Sequence, residues 1–207
     1  MTYRTHAITF AKKDIRENSR IYILYSKDVG KIEAIARGSR KILSKLAPHL
    51  EPPIFSDIMI ARGKRIDKLA GATSFSAYPK IKSDLFKIKI VFSCFQILDS
   101  LTRPNQKDTR LWQMLEKFLK ICEDADKGVF KERGEVLQNA FFIKLLAVLG
   151  FNFVDYIKKG NIEMEAEEVK EIKHLLEKKF EEIINSSFKI SDKTKESIAL
   201  YLEMYVR

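Results

Sequence analysis

Residues 21–41 read IYILYSKDVGKIEAIARGSRK, and the fold is decided by how this stretch is read. Ile21, Ile23 and Tyr25 alternate with Tyr22 and Leu24, Asp28-Val29-Gly30-Lys31 is a tight-turn signal, and Ile32, Ala34 and Ala36 continue with period two. Alternation on both sides of a glycine-containing turn is the pattern of a β-hairpin. Upstream, His6, Ile8 and Phe10 alternate with Ala7, Thr9 and Ala11, and the polar run Arg16-Glu17-Asn18-Ser19 separates them from Ile21. Downstream, Ser39 to Leu50 is basic and partly helix-compatible, and is stopped by Pro48 and by Pro52-Pro53. Ile54 to Arg62 and Lys68 to Tyr78 supply two more strands around the basic turn Arg62-Gly63-Lys64-Arg65.

Five short strands with a connection between the third and fourth predict an oligonucleotide/oligosaccharide-binding (OB) barrel over residues 1–80, with an SH3-like barrel as the competing layout. Past Pro79 the period changes. Leu85, Ile88, Val91, Phe95, Leu98 and Leu101 recur at helical spacing, and Phe86, Ile90, Cys94 and Ile97 make this segment apolar almost all round, which predicts a central helix. Leu111, Leu115, Phe118 and Cys122 mark a second helix, and a third is expected from about Gly134 to Leu149 with Gly150 as its C′ residue. Val169, Ile172, Leu176, Phe180 and Ile183 form one stripe over Glu163 to Ile184, and Ser191 is placed to cap a last helix with Ile198, Leu202 and Tyr205 inward. The expected class is α+β: a barrel domain, residues 1–80, then an all-α domain, residues 81–207.

The 207 residues are 45% hydrophobic and include 14 Phe, enough for a packed core rather than a disordered chain. Two cysteines are too few for a disulfide framework or a four-cysteine zinc site. No stretch is apolar for long enough to span a membrane, and the opening residues lack a signal-peptide core, so a cytoplasmic protein is expected. The net charge is +10, and residues 1–80 hold 16 basic against 7 acidic side chains, so nearly the whole surplus lies in the predicted barrel. Such asymmetry points to a local anion-binding module.

Arg37, Gly38, Ser39, Arg40, Lys41 and Lys45 form a basic run with no acidic residue between Glu33 and Glu51. Phosphate binding asks for cations closer than a Debye length, about 8 Å, and Gly38-Ser39 adds backbone amides. A solvated loop in a lysine-rich protein is the plainer alternative. Arg62, Lys64 and Arg65 either extend the same groove or form a charged hairpin tip. Tyr22, on the opposite face of its strand from Ile21 and Ile23, is the candidate platform for base stacking, with core packing as the alternative. His6, His49 and His174 occur in separate elements, and neither a phosphate loop nor a Ser, His and Asp set can be assembled. No catalytic residue, metal or cofactor is therefore expected. Cys94 and Cys122 read as inert core residues.

KDVGKIEAIARGSRK (27–41), SKLAPHLEPP (44–53) and IARGKRIDKLAGA (60–72) together resemble the amino-terminal domain of the bacterial recombination mediator family RecO. The resemblance implies a non-enzymatic DNA-repair protein that binds single- and double-stranded DNA and anneals complementary strands. It also implies work with RecR and single-stranded-DNA-binding protein to load recombinase, at the nucleoid, with Arg37, Arg40, Lys41 and Lys45 as DNA contacts. Many members carry a four-cysteine zinc motif after a helix ending like LAVLG (146–150); here FNFVDYIKKGN (151–161) follows, so the expectation is a short member without zinc. Two readings from other classes compete: an RNA-binding module of the translation apparatus on the same barrel, and a Mg²⁺ nuclease using Asp14, Asp28 or Asp57.

Overall fold

The computed structural model describes residues 1–15, 17–151, 153 and 164–206. The chain divides into two compact units, Met1–Lys82 with Thr102–Trp112, and Ser83–Leu101 with Gln113–Arg207. In the first unit, β1 (Thr2–Ile15), β2 (Ser19–Ser26), β3 (Gly30–Ala36), β4 (Ile54–Ala61) and β5 (Asp67–Ser76) close into a barrel in the order β1-β2-β3-β5-β4. All pairings are antiparallel except β3 with β5, where Ala34 faces Asp67 and Ile35 faces Lys68. Parallel neighbours cannot be joined by a hairpin, and here the chain passes through β4 before β5 returns beside β3. The layout is the expected five-stranded OB barrel.

β1 serves two partners. Thr2–Thr9 pair with β4 and Ala7–Ile15 with β2, and the register shifts between Thr9 and Ala11, so Phe10 is a bulge that turns one long strand from one neighbour to the next. The interior holds Ala7, Tyr22, Leu24, Ile32, Ala34, Ala36, Leu50, Ile58, Ile60 and Leu69. On β2 the outward Ile23 and Tyr25 are buried as well, so the strand is apolar in both registers.

Residues Thr102–Trp112, although beyond the first long helix in sequence, belong to the barrel unit and form a strap on the outside of the β2–β3 hairpin. The Tyr25 hydroxyl donates to the Gln106 carbonyl at 3.4 Å and accepts from the Asp108 amide at 3.2 Å, and burial pushes its pKa up to about 12. The Asn105 amide donates to the Lys31 carbonyl at 3.0 Å, and Lys31 Nζ donates to the Thr102 carbonyl at 3.3 Å. Gly30, at φ +85°, makes this approach possible: a Cβ there would lie 2.0 Å from the Gln106 oxygen.

A short α1 (Pro79–Lys82) closes the first unit's main segment. Then follow α2 (Leu85–Leu101), α3 (Thr109–Asp124), α4 (Lys127–Val148), α5 (Ala166–Glu177), α6 (Phe180–Asn185) and α7 (Asp192–Glu203). The helices depart from the expected layout at three points. The central helix is α4, which packs against α2, α5, α6 and α7, whereas Leu85 at the start of α2 is exposed. α4 begins at Lys127 rather than near Gly134, because Asp126 caps it by accepting from the Gly128 amide at 2.7 Å. Gly134 is therefore no start signal; it makes room, since a Cβ there would sit 2.9 Å from the Phe86 ring. The stripe over 163–184 is divided between α5 and α6 by extended backbone at Lys178 and Lys179. The expected ends hold: Gly150 at φ +90° donates to Ala147 and Phe151 to Leu146 in a Schellman motif, and Ser191 Oγ accepts from the Thr194 amide.

Helix carboxy termini leave carbonyls without intrahelical donors. In this unit the buried Lys87 and Arg133 and the half-buried Lys144 supply them. Lys87 Nζ donates to the carbonyls of Cys122 and Ala125, each at 2.7 Å, at the end of α3, and lies 5.2 Å from the centre of the Phe130 ring. Arg133 donates to the carbonyls of Ile183 and Phe188 and to Ser186 Oγ around the end of α6. Lys144 Nζ donates to the Leu176 carbonyl at 2.6 Å near the end of α5.

Lys87→Met keeps the stem but leaves buried acceptors unmet, and is expected to cost about 2–3 kcal/mol in urea unfolding; an unchanged midpoint would refute the capping role. Burial lowers the Lys144 pKa from 10.5 to about 8. With the folded pKa below the unfolded one, the unfolded chain binds more protons across that window, so this residue makes stability rise with pH between them. Lys144→Met should remove this increment from a pH series of melting temperatures.

Candidate nucleic-acid interface

The two basic clusters lie toward opposite ends of β3. Because Asp67 faces Ala34 in the parallel pair, the β4–β5 turn holding Arg62, Lys64 and Arg65 lies beside the first half of β3. The connection holding Arg37, Arg40, Lys41 and Lys45 leaves the other end. Arg62 and Arg65 line a surface depression with Lys31, Glu33 and Asp67. From Glu33 to Arg37 is about 13 Å along a strand rising roughly 3.3 Å per residue. Lys68, opposite Ile35 on β5, falls between them and is exposed. Its period-two position places it outside the barrel, since its neighbour Leu69 is in the core. Sequence reading misses Lys68 because the β3–β5 pairing is long-range; a lone lysine on a predicted strand carries no signal by itself.

The connection after β3 is built from turns. Ser39 Oγ donates to the Ala36 carbonyl at 2.8 Å, the Lys41 amide to Gly38 at 3.1 Å, the Ser44 amide to Lys41 at 2.9 Å, and the Ala47 amide to Ser44 Oγ at 3.3 Å. Gly38, at φ +70°, supplies the left-handed residue that the first of these turns uses. The second turn is tied to the β1–β2 hairpin, since the Arg40 amide donates to the Asn18 carbonyl at 3.3 Å.

Arg37, Arg40, Lys41 and Lys45 are not equivalent. Arg40 Nε lies 3.5 Å from Asp14, which also accepts from Arg20 at 2.7 Å. The Arg20 hydrogen bond, chiefly, and then the Arg40 charge hold the Asp14 carboxyl below its ordinary pKa. Arg37, Lys41 and Lys45 make no ion pair among the described residues. In the second cluster, Arg62 lies over the Tyr3 ring at 5.5 Å, and the neighbouring Glu33 and Asp67 offset part of the charge.

Tyr22 is corrected outright. It is 0% exposed in the barrel core, so its ring faces the interior and cannot reach a base. The sequence reading takes Ile21 and Ile23 as the inward pair; with both faces of β2 apolar, period two gives the alternation but not its sign. Among the described residues of this unit the exposed ring is Phe75, 58% accessible, with His6 at 5.0 Å and Phe55 at 5.2 Å.

The three carboxylates considered for Mg²⁺ lie apart and are engaged. Asp14 holds Arg20 and Arg40, Asp57 holds Arg4 at 2.7 Å, and Asp28 accepts from Thr5 Oγ1 at 2.8 Å. Among the described residues, no three His, Cys, Asp or Glu side chains gather to hold a metal. Cys94 and Cys122 are buried free thiols whose pKa values burial raises. The segment 151–161, where the family's zinc motif would begin, lies almost wholly outside the described residues. Among the described residues no helix is long and apolar enough to cross a membrane.

Residues 1–78 match the family model described as Recombination protein O N terminal. The barrel is a RecO amino-terminal domain. The DNA repair protein RecO of Dehalococcoides mccartyi strain BAV1 is 30% identical over 149 residues, covering 72% of this chain and 56% of that protein. Those of Pelotomaculum thermopropionicum and Geobacter metallireducens are each 26% identical, over 72% and 79% of this chain and 56% and 65% of theirs. The chain thus spans between half and two thirds of the length of these RecO relatives.

Tyr22→Phe should leave oligonucleotide affinity unchanged, whereas Tyr22→Ala should cost about 3–5 kcal/mol of stability as a cavity opens in the RecO-type barrel. Weaker binding by a fully folded Tyr22→Phe protein would contradict the interior placement.

Proposed function

We propose that this chain binds single- and double-stranded DNA along the outside of its barrel, chiefly through the phosphate backbone, and acts without catalysis. The observation that carries the reading is the set Arg37, Lys41 and Lys45, free of ion pairs among the described residues, on a connection held by successive turns. Cations left unpaired in the fold give up no internal partner when a phosphate arrives, and the released counterions drive binding. Lys68 and then Arg65, Arg62 and Lys64 continue the strip along β3. Arg40 contributes less, because Asp14 already holds its guanidinium.

A strip that neutralises two complementary strands lowers their repulsion and raises their local concentration, so annealing needs neither nucleotide hydrolysis nor an active site. By likeness to relatives named DNA repair protein RecO, the chain serves DNA repair and recombination in the cytoplasm at the nucleoid. On the same reading, RecR and single-stranded-DNA-binding protein are its partners in loading recombinase.

Neutralising about four to six phosphates gives log affinity a slope of about −3 to −4 against log salt on single strands. Replacing Arg37, Lys41 and Lys45 together by Ala should make that slope shallower by about 2, measured by fluorescence anisotropy of a labelled oligonucleotide over a salt series. An unchanged slope would remove these residues from the interface. Equal affinity for RNA and DNA, without annealing of complementary labelled strands, would favour the translation-type reading instead.

A further inference from the structure

The connection between β3 and β4 carries a feature that phosphate binding does not use. Ile42 and Leu43 are the central residues of the turn closed by the Ser44 amide on the Lys41 carbonyl, at 2.9 Å. They are 101% and 91% exposed, against 0% for Leu50 at the end of the same connection. Central turn positions usually go to Pro, Gly, Asn, Asp or Ser, which satisfy the local backbone and leave no apolar surface in water. Here two aliphatic side chains stand side by side at the tip, with Arg40 and Lys41 before them and Lys45 after. The turn beneath is anchored on the Asn18 carbonyl and on the Ala36 carbonyl through Ser39, so the tip is presented by a built support.

We infer that Ile42 and Leu43 form an apolar wedge that packs against the bases of the bound nucleic acid while the flanking cations hold its phosphates. Charge selects this occupant. Among the described residues, the nearest unpaired charges in sequence on either side, Lys41 and Lys45, are both positive. A strand whose phosphates meet those cations brings its bases to the height of the tip. Aliphatic wedges between base steps are a known device in DNA-bending proteins, and unstacked bases of a single strand accept them at lower cost. The buried Tyr22 cannot serve as the stacking platform, and the wedge gives the barrel a base-contacting element that needs no aromatic ring. A base-contacting wedge that favours open strands also fits an annealing protein, because it is expelled when the duplex forms. The inference rests on the proposed backbone reading but fails separately from it.

The test compares the parent chain, an Ile42→Ser and Leu43→Ser double variant, and a Leu43→Trp variant. The probes are a single-stranded oligonucleotide carrying aminopurine and inorganic polyphosphate, which has the charge without the bases. The double variant should bind the oligonucleotide about tenfold or more weakly with the salt slope intact, lose the aminopurine change seen with the parent, and hold polyphosphate as the parent does. Both positions are solvent-exposed, so its circular dichroism should match the parent's. In the Leu43→Trp variant the introduced indole should be quenched by the oligonucleotide and not by polyphosphate; the native Trp112 is buried and gives a separate emission. Unchanged oligonucleotide affinity and aminopurine signal in the double variant, or no quenching of the introduced indole by an oligonucleotide that binds, would overturn the wedge. So would a blue shift of that emission on anionic vesicles or on self-association with no response to the oligonucleotide. A parent chain that binds the oligonucleotide without salt dependence would sink the backbone reading instead, and quenching of the introduced indole would still report on the wedge.

Discussion

A closed ring of five strands has one interior, and in this chain it is filled by Tyr22, Leu24, Ile32, Ala34, Ala36 and their neighbours to the exclusion of charge. Everything else about the barrel follows from that filling. Burying an unpaired cation among these side chains would be prohibitively costly, so each lysine and arginine of the strands must point outward or be neutralised. Small residues at positions 34 and 36 let the Tyr22 ring in. The parallel pairing of β3 with β5 then sets the outward Lys68 beside Ile35, between the turn after β4 and the connection after β3.

The second unit solves a different problem with the same residue types. The last carbonyls of three of its helices lack intrahelical donors, and Lys87, Arg133 and Lys144 reach across to satisfy them. A chain rich in basic residues therefore uses them in two ways. On the barrel Arg37, Lys41, Lys45 and Lys68 make no ion pair among the described residues, while Arg4, Arg20 and Arg40 do, and in the helical unit several cations are internal donors. Formal charge alone overstates the cations available for binding.

Much of this is legible in the sequence, and the boundary of legibility has a physical form. Strand positions, turns, the Gly150 and Ser191 caps and the basic connection are local properties, written in period, glycine placement and hydroxyl residues a few positions apart. Which side of β2 faces in is not legible, because Ile21, Ile23 and Tyr25 are as apolar as Tyr22 and Leu24, and the outer Tyr25 is covered by strap residues some eighty positions later. The role of Lys68 is hidden for a similar reason, since only strand pairing brings it beside Ile35. Buried lysines such as Lys87 look like any surface lysine until a helix end is found next to them. Ile42 and Leu43 escape notice because a basic, partly helix-compatible stretch gives no local sign of the turn that exposes them.

The strap has a consequence for synthesis. Tyr25 and Lys31 are covered by residues that leave the ribosome only after the whole of α2 has been made. The strands can pair as soon as β5 emerges, yet one face of the hairpin stays wet until the chain has added a helix belonging to the other unit and come back. The nascent barrel is therefore an unfinished object for a time set by translation, and the last contact it acquires is the one that dries its outer side.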